Sequence, residues 1–298
     1  FFLFLWIALL TVLMAASHLW VKRNLFTNAN QEGNLLIMPN GVGYDYLVLG
    51  ISHGRNLSRR SHHALFESVF SASMINLSQG ESLGGLENQS LYLKYFLSGN
   101  NKARELILVL SPSLMFNQLT DQSDISFYRE PLTWDFFNFV ANNGGKNKKN
   151  QLFHYFKSKL GHHWWTFRPD DRHTFDGVLP GIDVQAMKDG FQLAYPEKFN
   201  LFAFKNRMHV LHDLVNTAET SGMSVSFVIP PAVFGIWPGH GAVLAHLNHT
   251  YPGRKILDHS QAITQNTYYY DHHHLNTEGI KKYLAILYSG LEHRQPNH

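Results

Sequence analysis

Two short segments, far apart in the chain, carry side chains suited to one chemistry. Tyr46-Leu47-Val48-Leu49-Gly50-Ile51-Ser52-His53-Gly54 reads as a buried strand that stops at a serine. Tyr268-Tyr269-Tyr270-Asp271-His272-His273-His274-Leu275-Asn276 sets an aspartate three residues before a histidine, just ahead of a helical pattern. A serine hydroxyl becomes a nucleophile when a histidine removes its proton, and the histidine serves as base when a carboxylate fixes its tautomer. Ser52, His274 and Asp271 therefore supply nucleophile, base and orienting acid for acyl transfer. A serine at a strand–helix turn is on its own an ordinary cap. The pairing with Asp-x-x-His tips the reading to catalysis.

The surrounding residues narrow this chemistry. Gly50-Ile51-Ser52-His53-Gly54 matches the G-x-S-x-G nucleophile elbow. In an α/β-hydrolase, however, several strands precede the elbow, and acid and histidine come from separate loops. Here Ser52 follows the first strand, so that match is accidental. His53, beside the nucleophile, is placed in the pocket lining. Arg55, one turn beyond Ser52, holds an anionic substrate or pairs with an acid. Consecutive residues such as His272-His273-His274 rarely converge on one ion, and no second cluster has ligand spacing, so no metal is expected. No cofactor is expected either. The absence of cysteine excludes disulfides, thiolate catalysis and Cys-type zinc sites. The formal charge of +3, with 19 histidines counted neutral, is too small and dispersed to argue for nucleic acid.

These side chains need a scaffold to bring them together. Alternating strand and helix patterns supply it, with strands at Tyr46–Leu49, Met74–Leu77, Leu106–Leu110, Val225–Ile229 and Lys255–Leu257. Helices are expected over Ala64–Phe70, Leu83–Phe96, Phe202–Thr220, Ala242–His249 and Ile280–Leu291, the last capped by Asn276 or Thr277. Five short strands separated by helices predict a doubly wound parallel sheet, a flavodoxin-like three-layer sandwich. Ligands of such sheets bind at the carboxyl ends of the strands, which both Ser52 and the Asp271–His274 loop can reach. Residues 117–195, rich in aromatics, Asn, Gly and Asp, read as an insertion with a helix at Leu152–Leu160. Within it Trp164-Trp165-Thr166-Phe167 suits a membrane interface, a partner or simple core packing, and His162-His163 suits the surface.

Phe1 to Trp20 carries no charge, enough apolar length for one transmembrane helix, and Val21-Lys22-Arg23 ends the run. A cleaved signal peptide is the rival reading, with Met14-Ala15-Ala16-Ser17 as small residues near its end. The organisation expected is thus an anchor over 1–23, a linker over 24–43 and one domain over 44–298.

On these blocks the chain resembles the SGNH (GDSL-type) hydrolase superfamily. Its serine follows the first strand, a glycine follows the second, and Asp-x-x-His precedes the last helix. Gly50-Ile51-Ser52-His53, then Gly80 in Asn76-Leu77-Ser78-Gln79-Gly80, then Asp271-His272-His273-His274 stand in those places, across residues 44–111 and 200–290. The resemblance implies an oxyanion hole from the N–H groups of Ser52 and Gly80. It also implies an asparagine after the third strand, but that strand ends Val109-Leu110-Ser111-Pro112-Ser113, with no asparagine before Asn117. Ser111 or Ser113 is the expected substitute, or the hole has two donors. Losing one donor costs about 2.7–4 kcal/mol of transition-state stabilisation.

Within the superfamily the chain is most similar to membrane-anchored members that act beside membrane-bound O-acyltransferases, the teichoic-acid D-alanine transfer and the alginate and cellulose acetylation proteins. That likeness implies an extracytoplasmic domain on the cytoplasmic membrane, a multispanning acyltransferase partner, and O-acyl transfer from an acyl donor to a glycopolymer. Lys22 and Arg23 by themselves favour the opposite orientation. An esterase or deacetylase using water and a non-catalytic SGNH-fold subunit are the alternatives.

Overall fold

A computed structural model describes residues 2–25, 40–59, 61–79, 85–116, 133–144, 148–160, 176–195 and 200–292. The apolar runs form five strands, β1 Gly43–Gly50, β2 Met74–Asn76, β3 Lys102–Val109, β4 Ser224–Ile229 and β5 Lys255–Asp258. The helices are α1 Phe2–Leu25, α2 Ser52–Asn56, α3 Ser61–Phe70, α4 Leu86–Ser98, α5 Pro112–Phe116, α6 Trp134–Asn143, α7 Lys148–Leu160, α8 Val184–Ala194, α9 Leu201–Thr220, α10 His240–Thr250 and α11 Thr277–Glu292.

Every strand pair is parallel, in the order β2-β1-β3-β4-β5. Parallel neighbours need a crossover, which the intervening helices provide. Alternation along each strand sends side chains to two different cores. Leu47, Leu49, Leu106, Leu108 and Phe227 pack with α4, α9 and α10 on one face. Tyr46, Val48, Ile107, Val109 and Val228 pack with α3 and α11 on the other. Burial on both faces is why these strands read as continuous apolar runs rather than alternating ones. The strand order reverses between β1 and β3, so their connections leave toward opposite faces and a crevice opens at their carboxyl ends. Ser52 begins α2 immediately after β1, at the mouth of that crevice.

All five expected strands form, each within a few residues of its predicted span. α2 and α5 escape sequence reading because five residues carry too little periodicity. The expected insertion contains α6, α7 and α8. Phe136 of α6 packs edge-on against Tyr95 of α4 and Tyr155 of α7, both at 5.3 Å, which docks this region on the sheet's helical layer. Asn276 caps α11 as expected, its Oδ1 accepting the Gly279 N–H at 2.9 Å.

The transmembrane anchor expected over 1–23 is not supported, because among the described residues no helix is long and apolar enough to cross a membrane. The segment nonetheless folds as one unbroken helix, α1, with Phe2, Leu3, Phe4 and Trp6 exposed. Most of the expected linker, Gly80, Asn117, His162-His163 and Trp164–Phe167 lie outside the described residues.

Candidate active site

Ser52 reaches the crevice through local backbone necessity. β1 ends at Gly50, Ile51 stays extended as the N-cap, and Ser52 opens α2, with the Arg55 N–H donating to the Ile51 carbonyl at 3.0 Å. The N–H groups of a helix's first turn have no intrahelical acceptor, so the Ser52 N–H is free of one. The two glycines around Ser52 have packing reasons. A Cβ on Gly50 would stand 2.8 Å from the Val109 carbonyl oxygen of β3, and one on Gly54 would stand 2.5 Å from Ser78 Oγ. The G-x-S-x-G spacing therefore records how closely the end of β1 sits on β3 and how closely α2 sits on β3 and the residues after β2. The end of β2 is tied to the same helix, since Asn76 Nδ2 donates to the Gly54 carbonyl at 2.8 Å and the Gln79 N–H to Gly50 at 3.1 Å.

The second segment is a closed loop. Tyr269 and Leu275 bridge antiparallel, and the Tyr270 N–H donates to the His274 carbonyl at 3.1 Å. Within it one carboxylate does two jobs. Asp271 Oδ1 accepts the backbone N–H groups of His273 at 2.9 Å and His274 at 2.7 Å. Its Oδ2 lies 2.7 Å from His274 Nδ1. The Asp-x-x-His spacing is what lets an aspartate turn the chain locally and still reach the imidazole. Burial alone would raise the Asp271 carboxyl. The His274 hydrogen bond, the nearby His274 and His273 and the His273 N–H outweigh it and hold the carboxyl well below the usual carboxylate range.

The two segments meet. His274 Nε2 lies 2.7 Å from Ser52 Oγ, across 222 positions of sequence. With Nδ1–H donating to Asp271, Nε2 is an acceptor, and the Ser52 hydroxyl donates to it. This is the nucleophile–base–acid chain that acyl transfer requires. Tyr270 stacks on the base, ring planes 4° apart and centroids 5.4 Å apart. Burial, opposed by Arg59, pushes the Tyr270 phenol up to about 12. Asn56 of α2 adds a direct tie between the two segments, its Nδ2 donating to the Leu275 carbonyl at 2.8 Å.

The remaining expected residues divide differently. His53 does not line an open pocket. One residue on from Ser52 along a helix is a turn of about 100°, which swings its side chain from the crevice into the helix–sheet interface. There His53 is buried and its Nδ1 lies 2.8 Å from Ser111 Oγ. Burial first, then the neighbouring His274 and His273, hold its imidazole well below the usual histidine range. The Ser111 hydroxyl is engaged with His53, and its carbonyl accepts the Leu114 N–H that starts α5. Arg55 is buried on α2, and its positive charge acts on the Tyr270 phenol, lowering its pKa, more weakly than Arg59 does.

Three groups were not legible in advance. Trp237 stands edge-on to both His53, at 6.2 Å, and His273, at 5.9 Å, with Phe191 and Phe234 behind it. Asp183, at the start of α8, donates its N–H to His272 Nε2 at 3.0 Å. Asn276 Nδ2 donates to the Gly177 carbonyl at 3.0 Å, so the stretch 177–183 braces the Asp271–His274 loop. Of these aromatics, only Phe191 belongs to the aromatic-rich insertion; Trp237 and Phe234 follow β4 and carried no sequence signal.

The donor atoms of Asp271, His273 and His274 lie within 4.8 Å of one another, the one such grouping among the described residues. Its Asp271–His274 pair is the same 2.7 Å hydrogen bond that joins the carboxylate to the imidazole facing Ser52, and a cation bound there would have to replace that proton. Compared with protein-family models and with curated proteins, the chain finds no match.

Proposed function

We propose that this protein is a serine acyltransferase of SGNH type. The observation that carries the reading is the continuous chain from Ser52 Oγ through His274 to Asp271, with 2.7 Å at each step. Ser52 Oγ attacks the carbonyl carbon of an acyl ester while its proton passes to His274 Nε2. The carbonyl electron pair moves onto oxygen, to which we assign the Ser52 N–H as donor. Collapse of the tetrahedral species expels the alcohol, which takes the proton from His274 and leaves an acyl-serine. An acceptor hydroxyl then repeats the sequence in reverse, giving its proton to His274 and taking the acyl group, and Ser52 recovers its proton. Asp271 keeps Nδ1 protonated throughout and stabilises the imidazolium.

The acceptor we propose is a hydroxyl of a cell-surface or secreted glycopolymer, with a membrane-bound O-acyltransferase as partner and an extracytoplasmic, membrane-attached setting. Support comes from the resemblance of the three blocks and from α1, whose exposed Phe2, Leu3, Phe4 and Trp6 suit an apolar surrounding. Water is the second reading for the acceptor, favoured by an open site in which the Asp271 side chain is 36% exposed.

The test is labelling of the full chain with a fluorophosphonate, followed by aryl acetate turnover with and without a sugar acceptor. Wild type is expected to label at Ser52, and Ser52→Ala to lose both label and turnover. Full turnover by Ser52→Ala would sink the reading. Acceptor-dependent acyl product separates transfer from hydrolysis, and failure to label favours a non-catalytic subunit. Carbonate-resistant sedimentation with membranes, lost on deleting residues 2–25, tests the attachment.

A further inference from the structure

His53 is the residue next to the nucleophile, yet it is 8% exposed and takes no direct part in the proton chain. Its surroundings are over-determined for a bystander. Among the described residues, the Ser111 hydroxyl has one partner, His53 Nδ1 at 2.8 Å, and His53 Nε2 is buried with none at hydrogen-bond distance. Two tautomers are possible. If Nδ1 carried the proton, the Ser111 O–H would be a buried donor without an acceptor and Nε2 a buried acceptor without a donor. If Ser111 donates to Nδ1, only the Nε2–H is left over. Each buried polar group left unpaired costs about 1–3 kcal/mol, so the Nε2–H tautomer prevails.

The ring so fixed forms a wall behind the base. Its centroid is 5.0 Å from that of His274, with planes 30° apart, and 5.4 Å from that of His273. Trp237 holds it edge-on from another side. The His273 ring in turn lies 4.1 Å from that of His274, so His53 packs against both residues of the peptide that leads into the base. Catalytic hydrogen bonds are commonly long before substrate binds and shorten when it does. Burial also keeps the ring uncharged, so the imidazolium that forms on His274 meets a neutral neighbour rather than a second cation.

We propose that His53, oriented by Ser111, is a positioning residue for the catalytic base: it seats the His273–His274 peptide and the His274 ring at the distance from which Nε2 takes the Ser52 proton. The proposal rests on the acyl-transfer reading above.

Full-length wild type, His53→Phe, His53→Gln and Ser111→Ala are compared by the rate of fluorophosphonate attachment to Ser52 between pH 5 and 9, alongside thermal melting. Phenylalanine keeps the packing and loses the link to Ser111. Glutamine offers an acceptor to Ser111 and a donor beyond it. General-base assistance is worth about 100-fold or more, and partial misplacement forfeits part of that, so His53→Phe should label roughly 10–100-fold more slowly and Ser111→Ala roughly 10-fold. Both should shift the inflection of the rate–pH curve, and His53→Gln should recover most of the rate and the wild-type inflection. Wild-type rates and an unmoved inflection in His53→Phe and Ser111→Ala overturn the proposal. Slow labelling that tracks a lowered melting temperature, with no recovery in His53→Gln, overturns it too, since that is a scaffold effect. If His53→Phe does not fold, Ser111→Ala decides, because it removes one hydroxyl. A labelled wild type with unaffected variants refutes this inference alone, whereas an unlabelled wild type refutes the acyl-transfer reading itself.

Discussion

Asp271→Asn separates the two jobs of the Asp271 carboxylate. An asparagine can leave Oδ1 where it is, still accepting the His273 and His274 N–H groups now at 2.9 and 2.7 Å, so the loop keeps its turn. The amide nitrogen then faces His274 Nδ1, which now stands 2.7 Å from a carboxylate oxygen. A donor facing Nδ1 forces the proton onto Nε2. The Nε2–H would point at Ser52 Oγ, and the base would be lost with the geometry intact. In serine triads this wrong-tautomer effect is worth about 10⁴-fold in rate. Here the Asp271 side chain is 36% exposed, so water can reach the pair and compensate in part, and we take the lower end, about 10³-fold or roughly 4 kcal/mol of transition-state stabilisation. The assay is aryl acetate turnover together with fluorophosphonate labelling, with thermal melting to show that the fold survives. An Asp271→Asn protein that melts like wild type and retains a tenth or more of its rate would refute the tautomer argument. Asp271→Ala should lose comparable activity and also melt lower, because it deletes the acceptor for both backbone groups.

Other expectations follow from packing and charge. Gly54→Ala puts a methyl 2.5 Å from Ser78 Oγ and 3.2 Å from Ser78 Cβ in a buried contact, and should cost about 1–3 kcal/mol in urea unfolding while slowing Ser52 labelling. Gly279→Ala places a Cβ 2.1 Å from the Tyr268 carbonyl oxygen, so the start of α11 and the catalytic loop must separate; loss of activity should exceed loss of stability, read by labelling against melting. Acid should destabilise the fold through histidines that the folded state holds neutral. Burial first, then His274, lowers His273 to about 4, and burial lowers His53 further, so the unfolded chain binds the extra protons. Stability therefore falls as pH drops from about 6.5 toward 4, modestly for His273, whose side chain is 38% exposed, and the urea midpoint at pH 4.5 should lie below that at pH 7. His273→Asn should flatten part of that slope.

The nature of the strands and the three side chains that meet at the crevice, Ser52, His274 and Asp271, could be read from residue types and local spacing. Leu47-Val48-Leu49 and Leu106-Ile107-Leu108 are apolar on both faces because helices cover both faces, and a run with that property has few other uses. The Asp-x-x-His spacing is a local device, closed by hydrogen bonds within the loop, so it was legible before any tertiary contact was known. What linear order could not decide is where side chains point once a strand turns into a helix. Ser52 and His53 are neighbours in sequence, but a helical turn of about 100° sends one to the crevice and the other beneath it. Ser111 and His53 are 58 positions apart and meet because β1 and β3 are adjacent across the strand reversal. The aromatic wall of Trp237, Phe191 and Phe234 likewise comes from α8 and the segment after β4, joined only by packing. Residue chemistry and local spacing determined which groups could react, and the parallel sheet, by setting which distant ends share one edge, decided which of them stand at the nucleophile and which hold it in place.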